Sequence, residues 1–460
     1  MTPAAIAAAE AYGPSAPDEL SFDSGGASRF PSRRRRADGI LLLHYQPHPG
    51  RRGAAATISE HVAAFGRHSR FPVWEVNTDL PPPRGLLEYD PAAIVLHYSL
   101  FVPTWYRLDD GYRELLQRSS GYKVAFFQDE MRHCADRFWF LDEFGIDCVY
   151  TLLEPPQFDA VYGSRTRVET IRTNLPGYVE ESLPRVAARL GVPDPERPVD
   201  VGYRARPLPP WMGRGALEKT EIGRRFAVDA AGRGLTLDIA LGEDDRLYGD
   251  DWYRFVASCR GMLGVESGVS AFDLDDRARH QYESLVAERG SEQGITIEEL
   301  EAGPLGEIDG NVFYRTISPR HFEAAAFGVT QILFEGRYSG AMEAGTHYIP
   351  LRKDFSNLDE AIARFRDPGE RSRIASAARR DLIESGEYSY ASFIAGFDRT
   401  LIDAGLRPEA STEMARSVHR AVTRGRRIRS LRAGAARRVE EVRRKLAALV
   451  YAVASRRRRR

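Results

Sequence analysis

The sequence predicts an α/β protein with two doubly wound, Rossmann-like domains that face each other across a cleft. From Gly39 onward, short apolar runs alternate with longer helical patterns, which is typical of parallel βαβ units. This alternation occurs twice, and a proline-rich stretch separates the two series. The length of 460 residues also exceeds what one hydrophobic core usually organises. Ligands of such sheets bind beyond the carboxyl ends of the strands, so we expect the site in the cleft.

The first series spans residues 37–175 and is preceded by residues 1–36, which are rich in Ala, Pro, Ser and Gly. We expect 1–36 to be a disordered leader, because that composition cannot offset the entropy of ordering. Residues 176–198 contain the recurring prolines and are predicted to be a linker. The predicted strands are Ile40–Tyr45, Phe71–Val76, Ala92–His97, Tyr122–Phe127, Asp147–Leu152 and Arg167–Thr173, and the predicted helices are 54–68, 106–118, 130–144 and 154–162.

The second series spans residues 199–386 and is followed by a helix within 387–410. The predicted strands are Val199–Tyr203, Leu235–Leu241, Gly261–Val265, Thr330–Phe334 and His347–Leu351, and the predicted helices are 213–232, 250–259, 275–290 and Pro319–Phe327.

Charge is balanced overall but unevenly distributed. The chain has 65 basic and 65 acidic residues, yet residues 411–460 contain 17 basic residues against 3 acidic ones. Apolar residues recur there every three to four positions, so this tail is predicted to be a basic amphipathic helix suited to an anionic membrane surface. A solvated run of charge and nucleic-acid binding are the alternatives, and no nucleic-acid partner is expected for the balanced chain.

Cysteine usage and hydropathy restrict the class of protein further. The three cysteines, Cys134, Cys148 and Cys259, form no metal-binding or disulfide pattern, which fits a reducing cytoplasm. No stretch is apolar for the roughly 18 residues that a membrane-spanning helix needs. We therefore expect a cytoplasmic protein without a metal or cofactor, docked at most peripherally on the inner face of the membrane.

The segment from Ser318 to Gly328 carries the clearest functional signal. Ser318 can cap a helix, Pro319 suits its first turn, and Gly328 can end it. The free amides and positive dipole at such an N-terminus would stabilise a diphosphate. Glu323 lies one turn further along an otherwise apolar helix, where a carboxylate needs hydrogen bonds. Ribose hydroxyls or an arginine could supply them, and spacing alone does not decide between the two.

The string Ser318-Pro319-Arg320-His321-Phe322-Glu323, followed by Ala-Ala-Ala-Phe-Gly and a strand, resembles the donor-site helix of bacterial group-1-type glycosyltransferases of GT-B architecture, found in surface-polysaccharide gene clusters. Further stretches share the resemblance: Tyr338-Ser339-Gly340, His347–Leu351 and Lys353–Asn357. The resemblance implies that Glu323 binds the ribose of a nucleotide-sugar, with Ser318, Arg320 and His321 beside the donor. It also implies that the helix within 387–410 crosses back to the first domain and packs there through Tyr390, Phe393 and Phe397. Many retaining relatives carry a second Glu eight residues upstream, where this chain has Arg315.

Two cations and two loops of the second series fit donor binding. Arg206 follows the first strand and Lys219 lies in the next helix, where such groups neutralise a departing diphosphate in this fold class. Lys219 is one of only four lysines in the chain. Two glycine-containing loops follow strands and could approach phosphate or sugar hydroxyls, although both could be ordinary turns: Glu266-Ser267-Gly268 and Tyr338-Ser339-Gly340.

The first series is expected to bind the acceptor. Gly50 and Gly53 lie in a turn before its first helix, although this GxxG pattern is weak evidence. If the reaction inverts the anomeric centre, a base must take the proton of the acceptor hydroxyl. His97 and Asp129 both end predicted strands and are the candidates, with a structural role as the alternative for each.

These observations together predict a metal-independent glycosyltransferase that uses a nucleotide-sugar donor and a glycan or lipid-linked acceptor. A nucleotide-sugar epimerase of the same fold is one alternative. The other is a non-catalytic protein of the cell or spore surface that retains the fold, which the Arg315 substitution motivates.

Overall fold

The computed structural model describes residues 34–46, 56–102, 105–409, 413–425 and 431. Two separate parallel sheets form the centres of two domains, so the predicted fold class is confirmed. The expectation for residues 1–33 lies outside the described residues.

The first sheet has six parallel strands in the order β2-β1-β3-β6-β7-β8. Its central strands are apolar runs because both faces are covered; Ile40 and Leu43, for example, are fully buried. The first strand begins at Arg35, which pairs with Tyr89, so the predicted leader ends earlier than residue 36. The strands are β1 (Arg35–His44), β2 (Val73–Asn77), β3 (Tyr89–Leu96), β6 (Tyr122–Phe126), β7 (Cys148–Thr151) and β8 (Thr170–Thr173), with a short antiparallel pair β4 (Phe101–Val102) and β5 (Trp105–Tyr106).

Three helices of the first domain flank this sheet, and a fourth lies in the linker: α1 (Ala56–His68), α2 (Asp110–Arg118), α3 (Cys134–Glu143) and α4 (Leu183–Leu190). The predicted helix 154–162 is present, but its geometry is irregular. That segment forms a 3-10 turn at Pro155–Gln157 and a single π turn at Asp159–Gly163.

The second sheet has five parallel strands in the order β10-β9-β11-β14-β15. Its strands are β9 (Val199–Arg204), β10 (Leu237–Ala240), β11 (Cys259–Gly264), β14 (Thr330–Phe334) and β15 (Ile349–Leu351), and its first two helices are α5 (Arg214–Asp229) and α6 (Asp250–Ser258).

An insertion between β11 and β14 fastens the second domain to the first. Its antiparallel strands β12 (Ser267–Ala271) and β13 (Asp309–Thr316) enclose three helices, α7 (Arg277–Arg289), α8 (Ile297–Glu301) and α9 (Pro304–Ile308). Apolar side chains of the insertion join the core of the first domain, among them Phe272 and Tyr314. The Asp273 N–H also donates to the Met131 carbonyl at 2.9 Å. The two domains therefore share an apolar interface beside the cleft.

After the insertion come α10 (Pro319–Ala326), α11 (Leu358–Arg366), α12 (Pro368–Arg379) and α13 (Tyr390–Asp403). Helix α13 returns to the first domain, where Tyr390, Phe393 and Phe397 are buried against the first sheet.

The folded part of the chain extends into the segment that was predicted to be the tail, 411–460. Residues 413–425 form a further helix, α14, that buries Val418 and Val422 in the first-domain core. The expectation of an amphipathic helix therefore concerns the chain beyond residue 425, which, except for Leu431, lies outside the described residues. Within the described part of the chain, no helix is long and apolar enough to cross a bilayer.

Candidate functional site

The N-termini of α1 and α10 meet at the cleft. A Cβ atom on Gly177, in the linker, would lie 2.9 Å from Cγ of Pro319 and 3.9 Å from Cγ2 of Thr57. Even an alanine methyl would collide there, so glycine permits this approach. The free N-terminal amides of α1, from the first domain, and of α10, from the second domain, therefore lie close to the same part of the cleft.

Helix α10 begins as its sequence predicts. Ser318 has extended dihedral angles, and its side chain accepts a hydrogen bond from the Arg320 N–H at 3.4 Å. Pro319 occupies the first helical position, where its missing N–H removes no helical hydrogen bond. The positive end of α10 thus points into the cleft.

Glu323 is bound by an indole and not by an arginine. Trp252 Nε1 donates to Glu323 Oε2 at 2.7 Å, and the other carboxylate oxygen makes no hydrogen bond within the described part of the chain. Burial raises the pKa of Glu323 to about 7, and the indole hydrogen bond opposes this. One oxygen of this carboxylate is thus available to a ligand.

Arg320 packs over the ring of the same tryptophan. Its guanidinium lies 4.8 Å from the centre of the Trp252 ring, and Nη1 donates to the Arg204 carbonyl at 2.5 Å. The side chain is exposed to the cleft and makes no ion pair with a described carboxylate. A cation therefore lies one turn before Glu323, at the N-terminus of α10.

Lys219 lies in α5 and is only partly accessible. Among the described residues its ammonium group has neither a hydrogen-bond acceptor nor a carboxylate within ion-pair distance. Burial, followed by the charge of Arg315, lowers the pKa of Lys219 to about 8. An unpaired ammonium next to arginines indicates a site for an anion.

Asp129 faces these cations from the first domain. It follows β6 in a left-handed conformation with φ 52°, and its side chain is accessible and unpaired among the described residues. Desolvation by the neighbouring protein atoms raises the pKa of Asp129, and the positive charges of Lys219 and Arg206 partly oppose this increase. Arg206 itself is half exposed and lies 3.8 Å from Glu243. The structure thus brings together three predicted site residues, Asp129, Arg206 and Lys219.

The loop after Asp129 is firmly anchored. The buried Glu130 carboxylate accepts hydrogen bonds from Thr151 Oγ1 at 2.5 Å, from the Leu152 N–H at 3.1 Å and from the Tyr162 hydroxyl. The Glu130 carbonyl accepts from Arg137 Nη1 at 2.6 Å. These contacts fix the backbone next to Asp129, which keeps that side chain at the cleft.

Arg315, at the position of the upstream Glu in retaining relatives, is buried. Nη1 donates to the Gly215 carbonyl at 2.8 Å, and Nη2 donates to the Glu218 carboxylate at 2.5 Å. Glu218 also binds Lys353 Nζ at 2.7 Å. Arg315 therefore links β13 to α5 and contributes positive charge beside Lys219.

The two predicted donor loops need correction. The Glu266 carboxylate accepts the N–H groups of Arg337 and Tyr338 at 3.1 and 2.8 Å, so these amides are already used. The Tyr338 side chain is fully buried and donates to the Phe334 carbonyl at 2.6 Å. Ser339 Oγ is hydrogen-bonded to Thr316 Oγ1 at 2.7 Å.

In the same loop, Gly340 has φ 74° and nothing within 4 Å of a built Cβ. The Glu266 carboxylate, through the N–H groups of Arg337 and Tyr338, fixes the conformation of this loop.

Ser267 and Gly268 are likewise not in a free loop. They begin β12 and pair with Thr316 and Arg315 of β13. A Cβ atom on Gly268 would lie 2.1 Å from the Tyr314 carbonyl oxygen, so the glycine serves strand pairing. The sequence does not indicate this antiparallel strand pair, because the segment after β11 has the composition of a turn.

Both predicted histidines are core residues. His97 is fully buried, and its Nδ1 accepts the Ser99 N–H at 3.0 Å; burial holds its pKa far below the ordinary range. His321 lies between Gln331 Oε1 and the Val265 carbonyl, at 2.8 and 3.2 Å, and burial lowers its pKa to about 4. Neither ring can reach a ligand in the cleft.

The expected acceptor glycines Gly50 and Gly53 lie outside the described residues. Two other residues of the cleft were missed. Trp252 has no sequence signal, since an indole on a helix usually belongs to the core. Glu60 lies in α1, one turn after Thr57, without a described partner; burial raises its pKa to about 6, and it repels Glu323 across the cleft.

In the residues that the structure describes, no group of three metal-ligating side chains is found.

No family model and no curated protein matches this chain. Solved structures do match. An alpha-glucosyltransferase in complex with UDP and a 13-mer DNA gives a TM-score of 0.46 at 10% identity over 80% of this chain and 100% of that chain. Anabaena HepE in complex with UDP and glucose gives 0.43 at 12% identity over 80% and 100%.

TarM gives a TM-score of 0.35 at 11% identity over 67% of this chain, which spans about half (54%) of the TarM chain. The two parallel sheets that the sequence predicts are established by the strand order of this chain itself. At these identities the function of this chain has to be inferred from its own residues.

Proposed function

We propose that the chain is a metal-independent glycosyltransferase that moves a sugar from a nucleoside diphosphate donor to a hydroxyl group of a glycan or lipid-linked acceptor. One observation carries the proposal: the partly buried, unpaired Lys219 ammonium lies near Arg206 and Arg320, opposite Asp129. A diphosphate would compensate the cations on one side of the cleft. A hydroxyl group that loses a proton would suit the carboxylate on the other side.

The largest electrostatic demand of the reaction is the charge that develops on the departing diphosphate. Lys219, Arg206 and the N-terminal amides of α10 would stabilise that charge. Their positions are set before the reaction, since Lys219 belongs to a regular helix and Ser318 caps α10. This preorganisation supports metal-independent catalysis.

Glu323 would bind the ribose. Trp252 occupies one of its oxygens and orients the carboxylate, and the second oxygen would accept a ribose hydroxyl. Hydrogen bonds to ionised groups contribute roughly 1.5–3 kcal/mol each.

Asp129 would act as the base. The acceptor oxygen forms a bond to the anomeric carbon, the bond from that carbon to the diphosphate oxygen breaks, and the acceptor proton passes to the Asp129 carboxylate. A single displacement of this kind inverts the anomeric centre. Its raised pKa makes Asp129 a stronger base than an ordinary aspartate.

The acceptor would bind at the first domain, where Gly50 and Gly53 remain candidates. A lipid-linked acceptor would place the protein in the cytoplasm at the inner face of the membrane, with the basic tail as an attachment.

Titration calorimetry with UDP, GDP, ADP and dTDP, with and without EDTA, tests the donor site. We expect one nucleoside diphosphate to bind with micromolar or better affinity in both conditions. If none binds, or if Glu323→Ala binds the nucleotide as well as wild type, the site is wrong. Conversion of a nucleotide-sugar to its epimer without acceptor would favour the epimerase, and binding without any turnover would favour a non-catalytic protein.

A further inference from the structure

Helix α14 is part of the first domain. Trp74 Nε1 donates to the Ala415 carbonyl at 3.3 Å, and the Tyr89 hydroxyl is 2.9 Å from Ser417 Oγ. Val418 and Val422 are 1% and 8% exposed, so the inner side of the helix is fully committed to the core. The orientation of its outer side is therefore fixed.

That outer side carries a row of arginines. Arg416, Arg420 and Arg424 follow at intervals of four residues and are all exposed. None of them makes an ion pair with a described carboxylate. The one acidic residue of α14 is Glu413, in its first turn, where the helix dipole favours a negative charge.

The charge of the α14 row is not neutralised by described carboxylates. Elsewhere arginines commonly bind carboxylates, as Arg67 binds Glu180 at 2.5 Å and Arg371 binds Asp194 at 2.7 Å. Pairing of that kind neutralises the surface. The row on α14 stays positive although residues 1–410 hold 62 acidic and 48 basic residues.

Two arginines of the first domain extend the row. Arg84 is exposed between Pro83 and Gly85, and these two residues contact the end of α14 at Gly425 and Ala421. Arg35 is also exposed and lies 5.7 Å from the ring of Tyr89, whose hydroxyl meets Ser417. We call Arg35, Arg84, Arg416, Arg420 and Arg424 the basic face.

We propose that the basic face binds the headgroups of an anionic phospholipid bilayer. Charge complementarity supports this partner, because arginines near such a surface are attracted by its negative potential. The sequence supports it too: the chain leaves the basic face at Gly425 and continues with further arginines and regularly spaced apolar residues, a composition suited to a bilayer and not needed for nucleic acid. The folded body, and not the tail alone, thus sets how the protein lies on the membrane.

Flotation of the full chain with phosphatidylcholine vesicles, with and without phosphatidylglycerol, tests the proposal. We expect wild type to float only with the anionic vesicles and to be released by high salt. The triple variant Arg416→Gln, Arg420→Gln, Arg424→Gln keeps the tail, and its partition coefficient should fall by at least about 10-fold.

A matched triple variant controls for loss of total charge. Arg172, Arg185 and Arg399 are exposed, have no described carboxylate partner and lie away from the basic face. Their replacement by Gln should leave flotation within about twofold of wild type, and both variants should keep the melting temperature and nucleotide affinity of wild type.

Equal flotation of the two triple variants would overturn the proposal, because the tail or total charge would then explain binding. So would absence of flotation for wild type together with RNA binding that the first triple variant loses, since nucleic acid would then be the partner. Neither outcome depends on whether the chain transfers a sugar.

Discussion

The first domain presents to the cleft two carboxylates without a partner among the described residues, Asp129 and Glu60, whereas the second domain presents the cations Lys219, Arg206 and Arg320. On most of the surface opposite charges are paired within one domain, as Arg233 is paired with Asp359. In the cleft, apart from Arg206 with Glu243, they are separated between two walls. The separation indicates that a ligand completes the pairing, with its anionic part on the second wall and a proton-releasing group on the first.

The largest expected effect concerns the acidic wall. Asp129→Asn should lower turnover by about 10²- to 10⁴-fold because the base is lost. Asparagine tolerates the left-handed backbone, so the loop should persist. Nucleotide affinity, measured by calorimetry, should stay or improve, since a negative charge opposite the diphosphate disappears. Asp159→Asn, an exposed aspartate of the same domain, is the control, and an equal loss in both variants would remove Asp129 from the mechanism.

The basic wall should respond in binding. Lys219→Met should raise the dissociation constant of the nucleoside diphosphate by about 10- to 100-fold, because a charged hydrogen bond contributes roughly 1.5–3 kcal/mol. Lys123→Met changes another partly buried lysine, at the start of β6, and should leave the constant unchanged. Wild-type affinity in Lys219→Met would show that the anion binds elsewhere.

The pH dependence of binding sharpens the comparison. Glu323 must be ionised to accept a ribose hydroxyl, and its pKa lies at about 7. Nucleotide affinity should therefore rise about fivefold from pH 6 to pH 7.5 and fall above pH 8, where Lys219, with a pKa of about 8, loses its positive charge. Calorimetry at several pH values measures this, and Glu323→Gln should bind weakly and lose the rise between pH 6 and pH 7.5. A wild-type profile equally flat over that range would contradict the role.

Ionisation of Glu323 should lower the free energy of unfolding, although it raises nucleotide affinity. Its folded pKa of about 7 exceeds the ordinary 4.5, so its protonated form favours folding. That contribution is complete below pH 4.5 and is lost as pH rises through 7. Denaturant unfolding should show Glu323→Gln to be more stable than wild type at pH 8, by about 1–3 kcal/mol, and not at pH 4.

The smallest effect is expected at Glu60. The charge of Glu60 makes the smallest contribution to the raised pKa of Glu323. Glu60→Gln should therefore shift the pH midpoint of nucleotide binding slightly to lower pH. The shift should be a few tenths of a pH unit, with turnover nearly unchanged. Glu181→Gln, an exposed carboxylate of the linker, should not move the midpoint. An unchanged midpoint in Glu60→Gln would show that Glu60 does not act on Glu323.

Sequence patterns predicted the strands and the cap of α10 well, because both depend on local chemistry. The apolar runs of β1 and β14 and the Ser-Pro start of α10 carry their own signals. They predicted the histidines poorly. His97 and His321 end or follow apolar segments just as catalytic residues do, and only packing shows that their rings point into the core.

Sequence patterns did not predict the antiparallel pairing of β12 and β13, for a related reason. Its two strands are separated by three helices, so their pairing leaves no local pattern. The role of Glu266 follows from that pairing and from the loop at Tyr338, about 70 residues away in sequence, and could not be read from either segment.

The sequence by itself determined the two parallel sheets, the helix that begins at Ser318 and the uneven distribution of charge. Each of these results from neighbouring residues, through hydrophobic periodicity, capping or composition. Only the tertiary structure decided that Asp129 faces Lys219, that Trp252 and not an arginine binds Glu323, and that α14 belongs to the body. These contacts join residues 70 to 340 positions apart, as Trp252 to Glu323 and Trp74 to Ala415 do, and burial at such contacts sets the charge state of each group.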